Sequence, residues 1–179
     1  MSSRRHAFDA TQIEQLLTKL GQRAVGRGLT LELTIAGGAA MALGLGARRS
    51  THDIDVVQVA PSRAVLLELA AEVASAEQLS ERWISDDAAR FAPAVSVGPV
   101  VHDAPGIRVR TVSDEQLLAM KLDAMRDDVD RADAVALATR LGFDQTSTEL
   151  AIAPHLPRDR YKRACYELDD IWPEVEDAR

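Results

Sequence analysis

The chain has 179 residues, a net charge of −7, 46% apolar residues and 4% aromatic ones. That is enough to bury a core in one domain, or in one domain with a small appendage, and so few aromatics favour helices on a small sheet over a β-sandwich. The acidic balance argues against a dedicated duplex-DNA binder, the single Cys165 excludes an internal disulfide and fits a cytoplasmic chain, and the longest uncharged run, Leu33 to Ala47, is too short for a membrane span.

Asp9 is placed to cap a first helix, Ala10 to Arg27, whose apolar positions Ile13, Leu16, Leu17, Leu20 and Val25 roughly keep helical spacing. Leu29 to Ala36 is β-branched and alternating, and predicts a strand. Gly37-Gly38 breaks it, and Ala39 to Gly46 predicts a short, close-packed helix. After a loop, Asp53 to Val59 predicts a second strand. Pro61 and Ser62 open a helix over Arg63 to Ala76. Ala94 to Val101 and Ile107 to Val112 predict two further strands around an Asp103-Ala104-Pro105-Gly106 turn. Residues 77–93 show no clear pattern.

Ser113 and Gln116 have capping-box spacing and open a helix to about Arg126. A second helix spans Asp130 to Leu141, stopped by Gly142. A last one, Arg158 to Trp172, ends before Pro173. The expected architecture is α/β (α+β): a small mixed sheet in residues 1–112, with a helical C-terminal part, 113–179, packed on it as one continuous domain. The C-terminal residues 164–179 are acidic and read as solvated surface.

Asp53 and Asp55 are the residues whose placement demands explanation. On a strand, positions i and i+2 share a face and lie about 6.5 Å apart. Two carboxylates that close repel, and burying either is costly. A divalent cation such as Mg²⁺, which binds through one or two carboxylates plus substrate phosphates, removes both objections. The alternative is that Asp55 pairs with Arg48 or Arg49. Gly37-Gly38 tips the balance, because a strand that turns into a helix without side chains lets backbone N–H groups approach a phosphate.

The segment "AGGAAMALGLGARRSTHDIDVV" resembles the signature of the DNA polymerase β-type nucleotidyltransferase superfamily. Together with "LLAMKLDAMRDDVDRADAVAL" it is most similar to the AbiEii/MenT-like toxins of type IV toxin–antitoxin systems. The resemblance implies a nucleotidyltransferase fold and an enzyme that moves a nucleotide from an NTP to an acceptor hydroxyl. The implied acceptor is RNA, with a tRNA 3′ end as the example, and the implied effect is growth inhibition relieved by a cognate antitoxin protein. Gly37 and Gly38 would hold phosphates, with Arg49 and Thr51 of the following loop among the nucleotide-binding candidates. Asp53 and Asp55 would ligate Mg²⁺, and Lys121 would contact the nucleotide.

Asp130 or Asp133 would be the acid of the final motif. Asp130 also suits a helix N-cap, and Asp133 needs a partner such as Lys121. Two features depart from the pattern. Fourteen residues separate Gly38 from Asp53, and "GIRVRTV" carries Arg108 and Arg110 where a third carboxylate is often found. Those arginines either hold a phosphate or RNA backbone or solvate an edge strand. An acceptor that is a small molecule or a protein, and a catalytically inactive binding protein, are the rival readings.

Overall fold

The computed structural model describes residues 7–46, 50–91 and 94–179. By its contacts the chain divides into two compact units, Met1–Val112 and Ser113–Arg179. The first is a mixed sheet with helices: α1 (Ala10–Gly26), β1 (Leu31–Ala36), α2 (Gly37–Gly44), β2 (Ile54–Ala60), α3 (Arg63–Glu77), β3 (Ile84–Ser85), β4 (Val97–Ala104) and β5 (Ile107–Val112). The second holds α4 (Asp114–Ala124), α5 (Asp128–Leu141), α6 (Gln145–Ile152) and α7 (Arg158–Asp177). The expected mixed α/β architecture is therefore observed.

The sheet order is β3-β2-β1-β5-β4. β1 is central, antiparallel to β2 and parallel to β5. One face of the sheet carries Leu31, Leu33, Ile35, Ile107 and Val109, all buried, and packs on the helices. At roughly 1.5–3 kcal/mol for each fully buried side chain, this face and the α1 stripe Ile13, Leu17 and Leu20 supply much of the unit's stability. α1 lies close against the sheet at Gly21, where any Cβ would strike Ile107 and the Pro105 carbonyl at 2.6 Å.

The caps follow the sequence. Asp9 and Gln12 form a reciprocal capping box on α1, and Ser62 and Ser113 accept the backbone N–H groups of Val65 and Gln116 at the starts of α3 and α4. Gly142 ends α5 in the left-handed region, at φ 69°.

Several expectations are corrected. α2 starts at Gly37 itself, not Ala39. The third predicted strand lies three residues later, at Val97–Ala104. Because β4 takes the edge, β5 is an interior strand, so Arg108 and Arg110 do not solvate an edge. The unassigned stretch contributes two short 3₁₀ turns and β3, anchored by Trp83, whose indole N–H donates to the Ala70 carbonyl at 3.1 Å. α6 was not anticipated.

The helix before Asp130 ends at Ala124, two residues short of the expected Arg126, and Val129 is exposed at the start of α5. α7 continues through Pro173. A mid-helix proline costs about 3 kcal/mol, but the buried stripe Leu168, Ile171, Trp172 and Val175 straddles it and offsets that cost.

Candidate functional site

In the sheet unit the two sequence signals meet. Ala36, the last residue of β1, pairs with Asp55 on β2, and Asp55 pairs on its other side with Ser85 of β3. Gly37 then starts α2 with φ +65°, a conformation L side chains rarely adopt. A Cβ on Gly37 would collide with the Asp55 Oδ2 atom. Glycine is thus required twice there, by its backbone angle and by the carboxylate pressed against it. The Ala36 cap offers no side-chain acceptor, so the first N–H groups of α2 are not satisfied by a capping side chain.

A register shift decides which way Asp55 points. Thr34 pairs with Gln58, but Ile35 pairs with Val56, so Val57 is extra and forms a bulge. Without it Asp55 and Gln58, three residues apart, would face opposite sides of the sheet. With it, Asp55 lies on the same face as Gln58, Thr34 and Glu32, opposite the helices, while Ile54 and Val56 are buried on the helix side. Asp55 is half-buried and Asp53, just before β2, is exposed.

The approach to β2 is pinned by its backbone. Thr51 and Phe8 exchange N–H···O bonds of 2.6 and 2.9 Å, and the buried Thr51 hydroxyl donates to the Asp53 carbonyl at 3.2 Å. Thr51 therefore orders the chain that presents Asp53. Gly38 is buried inside α2. Arg49 lies outside the described residues.

The donors Asp53 and Asp55 are all oxygen, and the glycine beside them keeps a side chain out of the space next to Asp55. Such a set suits a hard cation of the Mg²⁺ class. Among the described residues, no group of three or more His, Cys, Asp or Glu side chains is placed to hold a metal ion, so a third protein ligand is not found there. Ser85 was missed by sequence reasoning. Its signal is the apolar pair Trp83-Ile84 followed by a small polar residue.

The helical unit brings together the other three predicted residues. Lys121 of α4 lies between two α5 carboxylates, with its Nζ 2.7 Å from both Asp130 Oδ1 and Asp133 Oδ2. All three are buried, at 4%, 1% and 4% exposure. Lys121 stays buried because α5 supplies two anions at the i, i+3 spacing that puts both on one helical face.

Arg126 adds a bond from its side chain to Asp130 Oδ2 at 2.9 Å and one from its backbone N–H at 3.3 Å. Burial pushes the Asp130 carboxyl up, but the hydrogen bonds from Arg126 and Lys121 outweigh it and hold the group well below the usual carboxylate range. Asp130 is not the N-cap of α5: Asp127 is, accepting from the Val129 and Asp130 N–H groups at 3.1 and 2.9 Å.

Residues 11–151 match the family described as "Nucleotidyltransferase of unknown function (DUF6036)". No curated protein and no solved structure matches the chain.

Proposed function

The chain belongs to this family of nucleotidyltransferases, and from that membership we propose that its sheet unit binds an NTP with Mg²⁺ and transfers the nucleotide to an acceptor hydroxyl. The observation that carries the reading is the contact of the Asp55 carboxylate with the Gly37 backbone, which joins the acidic strand and the glycine turn into one site.

Asp53 and Asp55 would hold the metal, which when bound supplies charge neutralisation of the triphosphate. Gly37 and Gly38 would let α2's first N–H groups approach a phosphate. In the transfer, the acceptor oxygen bonds to the α-phosphorus and the α–β phosphoanhydride bond breaks. Pyrophosphate leaves with the electron pair, and the hydroxyl proton passes to water. The protein's share is positioning, as phosphoryl-type transfers require.

RNA is the acceptor the resemblance implies, with tRNA 3′ ends the first to try. The physiological reading is a toxin whose growth inhibition a cognate antitoxin relieves. A nucleotide contact for Lys121 comes from the same resemblance. Within the helical unit the geometry supports a structural role, locking α4 to α5. The net charge of −7 favours a small-molecule or protein acceptor as the second reading.

Incubation with Mg²⁺, labelled NTPs and total RNA tests these readings. Label on RNA supports the first, and label on a small molecule or protein supports the second. Transfer that survives Asp53→Ala or Asp55→Ala rejects the site.

A further inference from the structure

The sheet face that carries Asp55 continues into a groove of about 250 Å³ lined by Glu32, Thr34, Gln58, Val97, Arg108 and Arg110. The strand register orders these side chains in rows leading away from Asp55. Asp55 pairs with Ala36. Two residues back along β1, Thr34 stands between Gln58 and Arg110. Two residues further, Glu32 stands between Ala60 and Arg108. Each row is about 7 Å from the next, since a strand rises about 3.3 Å per residue. That step is comparable with one extended sugar–phosphate unit.

The charges in the groove are not equally committed. Arg108 places two N–H groups on one Asp103 oxygen, at 3.1 and 2.9 Å. Among the described residues Arg110 makes one hydrogen bond, of 3.4 Å, to the Gly98 carbonyl. The Glu32 carboxylate and the Gln58 amide make no side-chain hydrogen bond or ion pair among the described residues. The groove therefore offers one available cation in the middle row, with an acceptor carboxylate one row beyond it. Such a layout suits a chain carrying single phosphates separated by hydroxyl-bearing sugars, and gives a second triphosphate too little positive charge.

Resting on the transferase reading above, we propose that this groove is the acceptor track for the 3′ end of a single-stranded RNA lying along β1. The terminal hydroxyl sits in the Asp55 row. The phosphate of that last nucleotide sits on Arg110, where a guanidinium matches phosphate geometry. The 2′-hydroxyl of the preceding ribose donates to Glu32, a contact that DNA cannot make. Gln58 and Thr34 face the sugar edge between them.

The test is anisotropy of a fluorescein-labelled short single-stranded RNA, and of the DNA of the same sequence, measured without NTP or metal. Wild type binds the RNA more tightly. Arg110→Ala weakens binding of both strands about 5–10-fold and lowers the slope of log K against log salt by about one, and Arg110→Lys restores the slope. Glu32→Ala removes the preference for RNA, and the loss of its negative charge strengthens binding of both strands alike. Arg23→Ala, on α1, changes neither.

RNA binding by Arg110→Ala at wild-type strength, or an RNA preference that persists in Glu32→Ala, overturns the acceptor track even where nucleotide transfer is intact. So does transfer to a small molecule or protein with no RNA bound. Undiminished transfer by Asp55→Ala overturns the underlying reading instead, and the two failures are read from separate measurements.

Discussion

The two units of this chain each hold a pair of aspartates close in sequence, and they treat them in opposite ways. Asp130 and Asp133 are buried to 1% and 4% exposure, with a lysine ammonium 2.7 Å from each. Asp53 is exposed and Asp55 half-buried, beside a glycine that keeps the neighbouring space clear. A carboxylate pair sealed from water needs its cation built into the fold, because desolvation would otherwise dominate. A pair that keeps contact with water can also meet a cation from solution. The first arrangement holds structure together; the second is suited to chemistry.

The sharpest way to break that contrast is to remove one carboxylate from each unit and read both activity and folding. Asp55→Ala is expected to lower nucleotide transfer by about 10³-fold or more, the scale of several kcal/mol of lost charge stabilisation, with the melting temperature nearly unchanged. A steady-state transfer assay beside a thermal melt checks both. Lys121→Ala is expected to act on folding. It leaves two buried carboxylates facing each other and costs the helical unit about 3–5 kcal/mol, measured by urea unfolding followed through Trp172. Replacing the whole cluster, Lys121→Met with Asp130→Leu and Asp133→Leu, should restore most of that stability.

Acid sharpens the same contrast. Asp130 is held well below the ordinary carboxylate range, so its unfolded form binds protons first as pH falls. Its stabilising contribution is fully present above the unfolded value of about 4 and is lost progressively below it. Asp130→Asn should flatten the stability–pH curve of the helical unit below about pH 4. Urea midpoints taken across that range are the check, and an unchanged slope would contradict the assignment.

Gly37→Ala is a smaller perturbation of the sheet unit. The positive φ costs about 1–2 kcal/mol for any L side chain, and the added methyl must also displace Asp55. Nucleotide affinity, read by calorimetry with Mg²⁺ present, should fall about tenfold. The smallest effect belongs to Arg108→Ala, which removes a surface ion pair with Asp103 whose side chains are 49% and 53% exposed. It should shift stability by no more than about 1 kcal/mol, and less in high salt.

Much of this was legible before any coordinates. The β5 strand, Ile107–Val112, and the caps at Asp9, Ser62 and Ser113 follow from local chemistry, since alternation, capping side chains and glycine act within a few residues. The Asp-x-Asp pair and the glycine pair stood out because each contradicted its apolar surroundings. The close approach of Asp55 to Gly37, and the bulge at Val57 that sets Asp55 on the same face as Thr34 and Gln58, could not be read, because register between strands is a long-range property.

The rest divides along the same line. By itself the sequence determined the alternation of helices and strands, the mixed α/β class and the residues that carry charge where charge is expensive, because propensity and periodicity are local. Only the tertiary structure decided that Lys121 is enclosed by two aspartates and not extended to solvent, that α7 runs on through Pro173, and that β5 lies inside the sheet with Arg110 in the row after Asp55. Each depends on which surfaces are brought together and shielded from water, and burial is settled by partners distant in the chain.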